Sequence, residues 1–124
     1  MDLNYFNMKD YKELEALVLL WAKEKGILDK ASSLAQASKT SEEVHELLEA
    51  VEWQSLGYKD YTNSKGNLVD TDAEIKDALG DILVTIIIGA ELQGLSLLNC
   101  LQSAYDVISK RTGKMIDGQF VKDK

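Results

Sequence analysis

Two stretches of this chain concentrate carboxylates at helical spacing. In Ser41–Glu52, Glu42 and Glu46 are four residues apart, and Glu43 and Glu46 three apart. Both spacings put side chains on neighbouring turns of a helix, where like charges cost about 0.2–0.5 kcal/mol per pair. A solvated acidic face would account for this stretch alone. The second stretch, Glu74–Ile88, places Asp77 and Asp81 one turn apart, and the same face continues into Val84 and Ile88. Carboxylates at the rim of an apolar seam need a compensating cation. A hard divalent ion suits them, and magnesium does so while keeping waters and room for substrate phosphates. Glu74 has two readings: a further ligand one turn before Asp77, or the capping-box partner of Thr71 at the start of the helix. The capping reading is the stronger from sequence.

Cations and aromatics offer the complementary groups. Lys110, Arg111 and Lys114 are candidates to hold phosphate oxygens, although basic residues at the end of a helix also complement its dipole. Lys39, one turn before Glu42, is a weaker candidate of the same kind. Trp21 or Trp53 offers a face for stacking on a nucleobase, or serves as a core aromatic. His45 falls on a different helix face from the acids and reads as a bystander. Cys100 sits among Leu97, Leu98 and Leu101 and reads as a reduced, buried core residue.

Helices must position these groups. The 124 residues suit one domain, contain no proline and have eight glycines as the strong breakers. Apolar periodicity predicts an all-α chain with helices over about 8–25, 31–56, 72–93 and 97–112, and an irregular tail over 114–124. The second helix is ambiguous at its start, because Thr40 and Glu43 also make a capping box; one long helix is preferred. Residues 57–70 read as a polar loop, with a short hairpin as an option. Val84–Ile88 is β-branched, so a strand competes there, but continuity with the preceding pattern favours helix. The apolar breadth of the third helix predicts a core completed by oligomerisation.

The net charge of −7 disfavours stable binding to nucleic acid. The single cysteine excludes an internal disulfide. The first ten residues lack a signal-peptide pattern, and Ile82–Ala90, the longest nearly apolar run, is too short to span a bilayer. A cytoplasmic protein with no membrane partner is expected.

The two acidic segments, in this order, resemble the MazG-like all-α nucleoside triphosphate pyrophosphatases, a superfamily that includes dimeric dUTPases and phosphoribosyl-ATP pyrophosphohydrolases. The family pattern is EExxE, a spacer, then ExxD on the next helix. Glu42, Glu43 and Glu46 match the first half, and Asp81, in Leu79-Gly80-Asp81-Ile82, matches the final aspartate. Ala78 stands where the pattern has its second-helix glutamate, with Asp77 adjacent. The resemblance covers roughly residues 9–114. It implies a four-helix MazG-like bundle assembled as a homodimer or homotetramer. It also implies hydrolysis of a nucleoside triphosphate to monophosphate and pyrophosphate with Mg²⁺, or Mn²⁺ in its place. Glu43, Glu46, Asp77 and Asp81 would be the metal ligands, and Glu42 would activate the attacking water. Lys39, Lys110, Arg111 and Lys114 would meet the phosphates. Ala78 keeps open a competing reading, a catalytically degenerate helical module that binds a nucleotide or a partner.

Overall fold

A computed structural model describes residues 8–124. Helix α1 spans Tyr11–Glu24, the single turn α2 spans Ile27–Lys30, and the long helix α3 spans Ser33–Ser55. Strands β1 (Asp60–Thr62) and β2 (Leu68–Asp70) lead into α4 (Thr71–Leu92). After a tight turn come α5 (Leu97–Ile108) and strands β3 (Gly113–Ile116) and β4 (Gln119–Lys122). The chain is therefore mostly helical, as expected, with two small antiparallel hairpins added.

Local signals set the helix ends. Asp10 caps α1 by accepting from Glu13 N at 2.8 Å, and Ser32 caps α3 by accepting from Ala35 N at 3.0 Å. Helix α3 runs unbroken through Thr40, so the capping box there is not used. The Thr40 hydroxyl lies instead 3.2 Å from the Gln36 carbonyl and 2.9 Å from Thr85 Oγ1. For α4, the Thr71/Glu74 capping box is corrected: Asp70, one residue earlier, accepts from Ala73 N at 2.9 Å. The Thr71 N–H donates to Lys59 O at 2.8 Å, and its hydroxyl donates to the same carbonyl at 3.0 Å. That ties the helix start to the chain entering β1 and leaves the Glu74 carboxylate free of a capping role. Gly94, at φ 71°, ends α4 in a left-handed turn that few other residues adopt.

The centre of the molecule is the antiparallel pair α3–α4, with α1 against α4. The core is thin. Ala22, Ala50, Ala78, Tyr61, Ile87 and Ile88 are buried, but among the described residues no large side chain is completely so. The chain exposes 9658 Å², whereas a folded monomer of this mass exposes roughly 6,600 Å².

Further expectations are revised. Helix α5 turns 101° away from α4 rather than closing a four-helix bundle within the chain. It ends at Ile108, short of 112. Cys100 is exposed, because the face of α5 that carries it is not packed under a core. The tail is not irregular: β3 and β4 pair from Gly113↔Lys122 to Ile116↔Gln119. Their connection is Asp117-Gly118, at φ 51° and 80°, the left-handed pair that a two-residue hairpin turn requires. Among the described residues no single helix is long and apolar enough to cross a membrane.

Candidate functional site

One face of α3 and one face of α4 meet along a seam that changes character over its length. On α3 the facing positions include Gln36, Thr40, Glu43, Glu46 and Ala50; on α4 they include Glu74, Ala78, Asp81, Thr85 and Ile88. These are the three- and four-residue steps that keep side chains on one side of a helix. The helices run antiparallel, so Gln36 and Thr40 meet Thr85, Glu43 lies by Asp81, and Glu46 lies by Glu74.

At the Thr85 end the polar groups satisfy one another. Gln36 Nε2 donates to Thr85 O at 3.2 Å, and Thr85 Oγ1 donates to Ile82 O at 2.8 Å. At the Glu43 end they do not. Glu43 is only 8% exposed, and its Oε2 is buried with no hydrogen-bond partner. Its other oxygen lies 3.7 Å from Lys39 Nζ, which is itself 3.2 Å from Glu42 Oε2. Burial, then the charge of Glu46 and its approach as a hydrogen-bonding neighbour, then the charge of Asp81, push the Glu43 pKa above its ordinary value, and Lys39 only partly opposes this. The Glu46 contact falls short of hydrogen-bond geometry, which leaves Glu43 Oε2 without a partner. Glu74 is raised in the same way, by burial first and then by Glu46, Asp77 and Asp81.

The surrounding groups fall into place around this cluster. Lys65, at the tip of the β1–β2 hairpin, reaches Glu46 Oε1 at 3.1 Å. Asn63 holds that tip by accepting from the backbone N–H of Lys65 and of Asn67, each at 3.0 Å. Glu42 and Asp77 are exposed at the rim, and Asp81 is exposed at the seam's mouth. Ala78, 2% exposed, fills the interhelical contact between Glu74 and Asp81.

Two hollows open beside the acids. One of about 310 Å³ is lined by Trp21, Ile27, Gln36 and Val84 together with Lys39, Glu43 and Asp81. The other, of about 450 Å³, is lined by Ser41, Glu42, His45, Glu46, Ser64 and Lys65. His45 thus borders a hollow, although its helix position alone reads as a bystander's. Trp21 faces open space, while Trp53 is committed to packing, edge-on to Tyr58 at 5.1 Å and stacked on Tyr61 at 5.9 Å. No family model, curated protein or solved structure matches this chain.

Glu43 thus feels the charges of Glu46 and Asp81, and Glu74 those of Glu46, Asp77 and Asp81. Among the described residues, however, no three of these acids group to hold one cation, and Lys110, Arg111 and Lys114 lie apart from them. All three are exposed, Lys110 and Arg111 between α5 and β3 and Lys114 within β3, and none lines a hollow beside the acids. Lys65 is the addition, and Glu74, offered by its spacing as either a ligand or a cap, lies with the acids and not on the cap. The signal for Glu74 is present in the sequence, since it lies seven residues, or two turns, before Asp81 on the same face. Nothing in the spacing points to Lys65, which a hairpin carries back to Glu46.

Carboxylate oxygens, one of them buried without a geometric hydrogen-bond partner, are the donor type a hard divalent cation takes, but among the described residues no three His, Cys, Asp or Glu side chains group into a set able to hold one.

Proposed function

We propose that this protein is a magnesium-dependent nucleoside triphosphate pyrophosphohydrolase of the MazG-like all-α kind, releasing a monophosphate and pyrophosphate. The observation that carries this reading is the buried, unpartnered Glu43 carboxylate oxygen beside Glu46 and Asp81. A buried acid that meets other acids costs stability, and a functional ligand explains its presence better than a structural role does.

In this reading Glu43, Glu46 and Asp81 hold Mg²⁺ or Mn²⁺, with Asp77 in support. Glu74, two turns before Asp81, supplies the acid that Ala78 lacks. The bound metal would neutralise the triphosphate and polarise the attacked phosphorus. Glu42, at the exposed edge, orients and deprotonates the attacking water. Lys39 and Lys65 leave their carboxylates for phosphate oxygens, so the same cations that balance the empty site help to hold the substrate. Trp21 offers its face to the base from the hollow shared with Glu43 and Asp81. The exposed apolar surface supports a homodimer or homotetramer.

The test is pyrophosphate release from a panel of ribo-, deoxy- and modified nucleoside triphosphates with Mg²⁺. The expected result is release from at least one, abolished by chelation and by Glu46→Gln. Full activity in Glu46→Gln would sink the site assignment, and silence across the panel at high protein concentration would sink the activity. Buried Ala78 favours a second reading, a nucleotide-binding relative without turnover. That reading is met by Mg²⁺-dependent triphosphate binding with no pyrophosphate released.

A further inference from the structure

Every residue from Asn99 to Lys124 is exposed, although this stretch folds into a helix with an apolar stripe and a hairpin bearing Met115, Ile116, Phe120 and Val121. Leu101 is 60% exposed and Tyr105 59%. A twelve-residue helix and an isolated two-stranded hairpin are each marginal in water, so the arm needs a surface to rest on.

Charge and shape indicate which surface. Residues 97–124 hold five Lys and Arg against three Asp, while the preceding 96 hold nine Lys and Arg against eighteen Asp and Glu. The arm is basic and the body strongly acidic. The body carries a groove of about 370 Å³ lined by Leu14, Leu17, Val18, Trp21, Val84 and a single charged residue, Asp81. The end of α5 has the matching composition: Val107 and Ile108, then Lys110 and Arg111. The chain's own arm departs at the far end of α4 and turns 101° from it. Asp81 lies eleven residues back along α4, roughly 16 Å. The exposed area exceeds that expected of a monomer by about 3,000 Å² per chain, enough for an obligate dimer interface of roughly 2,000–5,000 Å² in total.

We infer that α5 and the β3–β4 hairpin form an exchange arm that seats on a second copy of this chain. The turn from Val107 to Arg111 lies in the Leu14–Leu17–Trp21 groove and delivers Lys110 and Arg111 beside that copy's Asp81. Each acidic site is then completed by cations from the other chain, which explains why a single chain does not bring them together. The seating of the arm stands by itself; the role of its cations toward phosphate rests on the triphosphate reading.

Cross-linking tests the seating without reference to activity. The lone cysteine is first removed as Cys100→Ser. Full-length chains carrying Leu17→Cys and Val107→Cys are co-expressed and treated with a short bis-maleimide. The expected product is a linked pair at twice the 13.8 kDa chain mass, from the mixture and not from either variant alone. Val107→Cys linking to itself would mean that arms meet each other and would overturn the inference. So would internal linkage in a chain carrying both cysteines, which would mean that the arm folds back. Sedimentation of the unmodified chain is the safeguard against misfolded variants, and a monomer at high concentration refutes the exchange. For the cations, Lys110→Glu/Arg111→Glu chains are mixed with Glu43→Gln chains. Activity is expected to return, with one intact site per mixed pair. Linkage without that return removes the role of the cations. Linkage with a wild-type protein inactive on every triphosphate keeps the arm and removes the triphosphate reading.

Discussion

The α3–α4 seam has two ends that differ by one helical turn and by opposite treatment of polar groups. Around Thr85, Gln36 and Thr40 the polar groups hydrogen-bond one another and the backbone across the two helices. Around Glu43 the same two faces oppose acid with acid, and a carboxylate oxygen is buried without a partner. Neutral hydrogen bonds hold a fold together, whereas an uncompensated buried acid weakens it unless something binds there. On the proposed function, the contrast separates a polar cluster kept for structure from one kept for a ligand.

Glu43→Gln probes that contrast most strongly. It should abolish pyrophosphate release by at least about 100-fold, since a metal's charge stabilisation is worth several kcal/mol. The same substitution should raise the melting temperature of the metal-free protein, because it removes a buried charge. A variant both inactive and less stable would place Glu43 with the structural end.

Ala78→Glu restores the missing acid of the family pattern. In this tightly packed position it should cost about 1–3 kcal/mol of metal-free stability by overpacking. It should also tighten Mg²⁺ binding measured by calorimetry. Unchanged affinity would mean that Glu74 already fills the role.

Thr85→Val strikes the other end. Losing its hydroxyl should cost about 0.5–1.5 kcal/mol in denaturant unfolding, with Mg²⁺ affinity unchanged. A loss of affinity would show that the two ends are not separate.

The smallest effect is on pH dependence. Glu43 and Glu74 have pKa values raised above the ordinary 4.5 in the fold, so between 4.5 and the raised values the folded chain holds more protons than the unfolded one. Their contribution is fully present below 4.5 and is lost as pH rises through the raised values. Metal-free melting temperature should fall across that window. The fall should be shallower in Glu43→Gln, and saturating Mg²⁺ should flatten or reverse it.

The helices and most of the acidic cluster are legible in the sequence, because periodicity and spacing are local properties. Glu43 and Glu46 share one face of α3 and Asp81 lies on the face of α4 opposite it, as their three- and four-residue spacing predicts, whereas the apolar Val44, Leu48 and Val51 of α3 are left exposed. Glu74 reads wrongly as a cap because Asp70 and Thr71 are both able caps, and the choice between them depends on backbone angles that composition does not carry. Cys100 and the stripe of α5 have a pattern that calls for burial, but the turn at Gly94 decides where that face points. Asp117-Gly118, flanked by Met115-Ile116 and Phe120-Val121, is a readable hairpin signal that the expectation of an irregular tail overlooks. Gly113 completes that hairpin: a side chain there would strike the Val121 carbonyl and the Phe120 ring. Lys65 is out of reach of any local rule, since only closure of the β1–β2 hairpin brings it to Glu46.

Thermal unfolding with and without Mg²⁺, at matched ionic strength, tests the central claim most directly. If the Glu43 end of the seam is a cation site, Mg²⁺ raises the wild-type melting temperature with a saturating dose dependence. Stabilisation reaches about 2.7 kcal/mol at a hundred times the dissociation constant, and Glu43→Gln does not respond. A wild-type melting temperature indifferent to Mg²⁺ and Mn²⁺, or an equal rise in Glu43→Gln, would contradict it.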